Sequence, residues 1–291
     1  MLVAVDLTPS ADRVLGRVAM LPLAEGARVT LLHVVPSSLP PREQRSAARD
    51  ALKALAGEAR ELRAALPQGV VVEELVEIGG AAGAIAARAH ATGAELIVMG
   101  RGGRRALRDA LLGSTAERVV RQARLPVLVV RLRPRHAYRR PALALDLDEA
   151  AHAALAMLLR TVPAPRPPVA VIHAFDDPYR RLAYPSLAER EGAARRIELQ
   201  VEATRGVTRL LDAALARAGV PPEGAPRWKL HVRHGSARLV IEKAVAKADH
   251  DLLVLGTQGR AGIAHVFLGT VAGDVLRAVS CDVLVTPPPA P

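Results

Sequence analysis

Two glycine-led segments carry the residues best suited to hold an anion. Gly100-Arg-Gly-Gly103 is followed, after nine residues, by Gly113-Ser114-Thr115. Gly256-Thr-Gln-Gly259 is followed at the same distance by Gly269-Thr270-Val271. The pattern G-x2-G-x9-G-[ST] therefore occurs twice. Its first two glycines let the backbone turn sharply and bring N–H groups to an anion with no Cβ in the way. The third glycine and the hydroxyl residue open a helix, whose unpaired N–H groups and positive dipole end favour phosphate. Ser114 and Thr270 can equally be ordinary helix caps on a glycine turn. Recurrence of the spacing in otherwise diverged segments favours a phosphate cradle.

Other reactive groups do not assemble into a catalyst. Asp6 and Asp146 each end a short apolar run. Such an acid either meets a ligand at the end of a strand or bonds the amides of the next turn, and the matched register favours the ligand. There is no G-x4-G-K-[ST] segment to supply a lysine to a γ-phosphate, and no G-x-G-x-x-G after the first strand. His33 and His173 fall mid-strand in matched positions, as hydrogen-bonded core histidines do. His231 and His234 are three apart on a probable strand, so they face opposite sides and cannot share a metal. Cys281 enters the last apolar run as a small hydrophobe without a nearby base. No nucleophile–base pair or carboxylate cluster is visible, so catalytic residues are expected to be absent.

These residues are positioned by a repeated set of elements. LVAVDLTPS at the start answers ALALDLDEA; VTLLHVV answers VAVIHAF; AELIVMGRGG answers HDLLVLGTQG; LPVLVV answers CDVLVT. Asp6 to Asp146 and His33 to His173 are offset by 140. Gly79 to Gly235, Gly100 to Gly256 and Gly113 to Gly269 are offset by 156, which leaves 16 extra residues between His173 and Gly235. The chain thus reads as two copies of one unit, 1–134 and 135–291, joined near Arg133-Pro134-Arg135. In the first copy, strands are expected near 2–6, 28–35, 70–76, 94–99 and 126–131. Helices are expected near 10–21, 43–65, 81–92 and 114–124. Nearly all-apolar strands alternating with amphipathic helices imply an α/β, doubly wound parallel sheet with helices on both faces. Ligands of such sheets bind at the carboxyl ends of the strands, where the strand order reverses, and both glycine motifs fall there.

Composition narrows the function further. At 291 residues, half of them apolar, the chain has material for two cores. It carries 1 Cys, 1 Trp, 3 Tyr and 2 Phe. That count excludes an internal disulfide, a cysteine-built metal site and an aromatic platform for nucleic acid. No apolar run approaches the roughly 18 residues of a membrane span, and the first ten residues, with Asp6 among them, lack the features of a secretory signal. A cytoplasmic protein without a membrane partner is expected. The formal net charge is +11, but the basic residues are scattered and 36 of the 40 are arginine beside abundant alanine, as codon bias produces. Nucleic acid is therefore not the expected partner.

Together the G-x2-G-x9-G-[ST] spacing, the VAVD-type first strand, the LLHVV-type second strand and the LIVMG-type fourth strand resemble the universal stress protein family, over nearly the whole chain. The resemblance implies an open five-stranded parallel sheet of order 3-2-1-4-5 in each of two tandem domains, and adenine nucleotide bound between first and fourth strands. It implies ATP, with or without Mg, as cofactor of a stress-response sensor, with a slow ATPase or a nucleotide-free interaction scaffold as alternatives. By motif position, Asp6 with Thr8, and Asp146, would meet the adenosine end, and Val34 and Ala174 would line the adenine pocket. Gly100, Gly103, Gly113, Ser114 and Thr115 would hold phosphates in the first copy. Gly256, Gly259, Gly269, Thr270 and Val271 would do so in the second.

Each copy departs from the family pattern at one end. The first carries Arg101-Gly102 in its loop and adds Arg104, Arg105 and Arg108, either as phosphate clamps or as a solvated loop. The second has Asp146-Leu147-Asp148-Glu149 where the first has Leu7-Thr8-Pro9-Ser10 beside its acid. Two further acids near a polyanion repel it unless they turn away, and Asp148 can serve as a helix cap. The first copy is thus expected to have the better adenosine end and the second the cleaner phosphate loop. The resemblance also implies that the last strand, Val127 to Val130 or Val283 to Thr286, pairs antiparallel with a counterpart. The obvious counterpart is the other copy, the alternative being an edge protected by the linker or by the tail, where Pro287, Pro288 and Pro289 would end pairing soon after Val285; a homodimer is a further possible partner. Pro178, Tyr179, Tyr184 and Pro185 in the inserted segment, ahead of a helical stretch from about 186 to 218, suggest a loop packed on the neighbouring copy, or else a lid or partner surface.

Overall fold

In the computed structural model the described residues are 1–9, 11–102, 114–176, 185–257 and 269–288, with backbone alone described at 114 and 185–194. The first repeat runs β1 (Leu2–Ala4), α1 (Ala11–Val18), β2 (Arg28–Pro36), α2 (Pro41–Ala65), β3 (Val71–Gly79), α3 (Ala81–Ala91), β4 (Ile97–Gly100), α4 (Ser114–Ala123) and β5 (Val127–Val130). The second runs β6 (Pro141–Ala144), α5 (Ala150–Thr161), β7 (Val169–Phe175), α6 (Pro185–Arg217), a 3-10 turn (Pro222–Gly224), β8 (Trp228–His234), α7 (Ala237–Ala248), β9 (Leu252–Gly256), α8 (Thr270–Ala278) and β10 (Asp282–Thr286). Eight of the 16 inserted residues lengthen a helix, since α6 has 33 residues and α2 has 25. Pro178, Tyr179 and Tyr184 lie outside the described residues.

Each repeat contributes five parallel strands, and the ten form one sheet in the order β3-β2-β1-β4-β5-β10-β9-β6-β7-β8. Order 3-2-1-4-5 therefore appears twice, the second time in mirror sequence. The two halves meet where β5 and β10 lie antiparallel, with Val129 opposite Val283 and Val127 opposite Val285. Those strands are buried on both faces, because consecutive side chains of a strand point to opposite sides and each side is covered by helices. On one face Val3, Val5 and Leu31 pack with α1, α2, α5 and α6; on the other Leu2, Leu32, Ile97 and Met99 pack with α3, α4, α7 and α8. No helix among the described residues is long and apolar enough to cross a membrane.

β1 is shorter than the apolar run 2–6 suggests. Val5 still donates its N–H to Leu32 O (2.9 Å), but Leu7 takes a left-handed conformation (φ 54°) that turns the chain out of the sheet. Asp6 is thereby set at the rim, at the carboxyl end of the central strand.

The segment joining the repeats is held down rather than free. Asp282, fully buried, accepts the N–H groups of Arg131 (2.7 Å) and Leu132 (2.9 Å), the Tyr138 hydroxyl (2.8 Å) and the Arg17 guanidinium (3.1 Å). Asp251 accepts the N–H groups of Arg139 (2.7 Å) and Arg140 (3.0 Å). The arginines of this segment are partly consumed by the fold. Arg131 donates to Leu276 O and Val279 O at the end of α8, and Arg140 pairs with Asp249 (2.7 Å).

Candidate functional site

The strand order reverses between β1 and β4, and again between β6 and β9, and at the carboxyl end of each pair the sheet opens into a cavity. The cavity of the first repeat measures about 170 Å³ and that of the second about 310 Å³. Asp6, Val34, Gly100 and Thr115 line the first. Asp146, Ala174, Gly256, Gly269, Thr270 and Val271 line the second. Residues far apart in the chain thus converge on one rim in each half. Thr8 does not line the first cavity but bonds the acid that does. Gly103, Gly113 and Gly259, with Arg104, Arg105 and Arg108, lie outside the described residues, as does the side chain of Ser114.

Both first-strand acids are engaged in their own turns. Asp6 Oδ1 accepts the Thr8 N–H (3.2 Å) and the Thr8 hydroxyl (2.8 Å). Asp146 Oδ1 accepts the Leu147 N–H (2.8 Å). These bonds orient the carboxylates at the rim. The histidines one strand over steady the same rim. His33 Nδ1 lies 2.8 Å from Val5 O, and His173 Nδ1 lies 3.0 Å from Leu145 O, each ring tying the second strand of its repeat to the end of the first. The two extra acids of the second repeat part ways. Glu149 turns to Arg217 (3.2 Å), away from the cavity. Asp148 accepts the Ala151 N–H (3.3 Å) at the start of α5 and still lines the cavity.

The opposite wall is the start of α8. The first bond within this helix runs from Gly273 N–H to Gly269 O (2.9 Å), so the amides of Thr270, Val271 and Ala272 precede it without a helical partner. The Gly269 amide, one of the donors expected from the motif, is turned to Thr257 O (2.7 Å). A Cβ on Gly269 would stand 2.9 Å from that carbonyl. The third glycine therefore serves close approach of the helix start to the exit of β9, and the amides without a helical partner are those after it. Beside them Thr257, 3% exposed, lines the cavity, and its buried hydroxyl has no hydrogen-bond partner among the described residues. At the same offset in the first repeat stands Arg101, whose buried Nε lacks a partner among the described residues but which does not line the first cavity. An anion bound in the second cavity would satisfy the Thr257 hydroxyl, whose isolation otherwise costs about 1–3 kcal/mol.

The apolar wall was not foreseen from the motifs. Ala81 and Ile85 on the first turns of α3, and Ala237 and Ile241 on α7, close the cavities opposite Val34 and Ala174. Their signal was present in the sequence, because both pairs are related by the same offset of 156 as the glycines. Among the described residues no three His, Cys, Asp or Glu side chains gather as a metal site. Each cavity thus combines an apolar wall, a rim carboxylate and, in the second repeat, amides at a helix start that have no helical partner.

The model of the universal stress protein family matches residues 1–131 and 137–287. A functionally unknown protein from Pseudomonas aeruginosa PAO1 is 21% identical, with 99% of this chain and 92% of that chain covered and a TM-score of 0.64. A universal stress protein from Archaeoglobus fulgidus DSM 4304 is 16% identical, with 99% and 96% covered and a TM-score of 0.67. At such identities the likeness to these structures is one of fold. No curated protein sequence matches the chain.

Proposed function

The chain belongs to the universal stress protein family, with both repeats matched, and on that premise we propose that it binds adenine nucleotide as a cytoplasmic sensor or regulatory module of the stress response, not as a dedicated enzyme. In this reading the domains are 1–134 and 135–291. The observation that carries it is the recurrence of one cavity at the switch point of both repeats, with matched residues on matched walls. The adenine ring would lie against Ala174, Ala237 and Ile241, where apolar area is removed from water. Asp146 would accept from the ribose. The amides of Thr270, Val271 and Ala272 and the Thr257 hydroxyl would donate to phosphate oxygens.

Occupancy differs between the halves. A volume of about 310 Å³ falls at the lower end of ligand sites, roughly 300–1,000 Å³, whereas about 170 Å³ falls short of it. The second repeat is therefore the principal site.

Mass spectrometry of small molecules released when the purified protein is denatured tests the reading directly. Adenine nucleotide in the supernatant and a melting temperature that rises with added ATP are expected. Absence of both leaves a nucleotide-free scaffold.

A further inference from the structure

Of the four lysines in this arginine-dominated chain, three (Lys229, Lys243 and Lys247) belong to one corner of the second repeat. β8 ends the ten-stranded sheet, with β7 as its neighbour on one side and no strand beyond it among the described residues. Arg227 O accepts the Val169 N–H (3.0 Å), and the Gly235 N–H donates to Phe175 O (3.0 Å). Alternation then points the main-chain groups of Trp228, Leu230, Val232 and His234 away from the sheet. The side chains of Lys229, His231 and Arg233 share one face of the strand, on the side covered by α7. On α7 the flank bearing Arg238 is turned to α8, where Arg238 meets Asp274 (3.6 Å). The opposite flank, with Val240 and Lys247, is turned to β8, and Val240 lies beside Gly235.

The charges gathered here are uncompensated. Lys229, Arg233, Lys243 and Lys247 are exposed, and none is in an ion pair among the described residues. Burial, and then Arg233, His250, Lys229 and Lys247, hold the His231 imidazole below its ordinary pKa, and no carboxylate acts on it in the other sense. The matched strand of the first repeat is different. Positions 73, 75 and 77 are Glu, Leu and Glu, and Glu73 and Glu77 are paired with Arg28 and Arg88. One scaffold position is thus neutralised in one half and strongly basic in the other, which a uniform arginine bias does not produce.

We propose that the β8 edge, flanked by α7, docks an extended acidic polypeptide segment of a partner protein, which adds to the sheet as a further strand and lays its carboxylates along Lys229, Arg233 and Lys247. The main-chain edge, of whose outward carbonyls Val232 O is held by Arg233 (3.1 Å), favours a peptide over a nucleic acid, because its remaining amides and carbonyls form a ladder that only another backbone matches. The positive charge supplies selectivity, repelling a second basic edge while attracting an acidic strand.

A fluorescent peptide of alternating Glu and Val tests this by anisotropy on the full chain, beside its Lys/Val counterpart and a single-stranded oligonucleotide. The acidic peptide should bind, weaken as salt rises, and slow hydrogen exchange at the amides of Leu230 and Val232. The triple variant Lys229→Glu, Arg233→Glu, Lys247→Glu, altered at exposed positions outside both cavities, should lose at least about tenfold in affinity with an unchanged circular dichroism spectrum. Binding equal to the triple variant, binding without protection of those amides, or preference for the oligonucleotide would each overturn the proposal. Nucleotide content of the same preparations reports separately on the cavities.

Discussion

Arg17, near the end of α1, places its Nε 3.1 Å from Asp282 Oδ2 across 265 residues of chain, and both side chains are buried. The same guanidinium lies 4.0 Å above the Tyr138 ring and donates to His136 O (3.1 Å). One buried carboxylate at the entry of the last strand therefore fastens the first helix, the joining segment and the sheet seam together.

Removing that carboxylate should loosen all three at once. Asp282→Ala leaves Arg17 as a buried, unpaired charge, and a loss of about 3–5 kcal/mol is expected in urea unfolding. Tyr138→Phe, which deletes one neutral donor to a charged acceptor, should cost about 1–3 kcal/mol. A loss below 1 kcal/mol for Asp282→Ala would show the fastening to be ornamental.

Alkali should unfold the chain from the same seam. Burial, with the neighbouring Asp282 carboxylate, pushes the Cys281 thiol up to about 12 and the Tyr138 phenol well above its usual value of 10. Groups that hold their protons longer in the folded chain than in the unfolded one stabilise it below their unfolded pKa. That contribution is lost as pH rises toward the folded value. Melting temperature should thus fall from about pH 9 upward, with a shallower fall in Cys281→Ala and in Tyr138→Phe. Native protein should also resist iodoacetamide until unfolded. Equal slopes in wild type and both variants would contradict the assignment.

Substitution at the third glycine separates close approach from amide donation. Gly269→Ala drives a methyl to 2.9 Å from Thr257 O, a backbone atom that cannot swing aside, so the start of α8 must shift. ATP binding should weaken by about tenfold or more, roughly 1.4 kcal/mol in binding free energy. Gly100→Ala meets only a Val14 methyl at 3.4 Å and should be far milder. Isothermal titration of the two variants decides the order.

Calorimetry should likewise find one strong adenine-nucleotide site per chain. Ile241→Trp fills the larger cavity and should abolish that site, whereas Ile85→Trp in the smaller one should leave it in place. Loss of binding in Ile85→Trp alone would reverse the ranking of the halves.

Thr257 offers a finer probe. Its buried hydroxyl has no partner among the described residues, so Thr257→Val should leave stability within about 1 kcal/mol or raise it, while lowering affinity for a phosphate-bearing ligand but not for adenosine. Equal losses for ATP and adenosine would place the hydroxyl away from the phosphates.

The elements were legible because apolar periodicity is local: β2, expected at 28–35, spans Arg28–Pro36, and α3, expected at 81–92, spans Ala81–Ala91. β1 ended early for a reason no periodicity carries, the left-handed turn at Leu7. At the site, matched offsets mark Asp6 with Asp146 and Gly100 with Gly256, but no motif marks Ala81 and Ile85, because alanine and isoleucine carry no chemistry of their own. Their role arises from lying opposite Val34 once β2 and α3 are packed.

By itself, the sequence determined that two copies of one α/β unit fold in tandem and that glycine-opened helices stand where strand order reverses, since repeat spacing and side-chain periodicity act over a few neighbouring residues. The tertiary structure alone decided that the Gly269 amide faces Thr257 O, that Asp282 gathers Arg17 and Tyr138, and that Lys229 on the open edge strand stands beside the lysine-bearing helix α7. Those outcomes depend on distances between residues remote in the chain, which packing sets and local pattern does not encode.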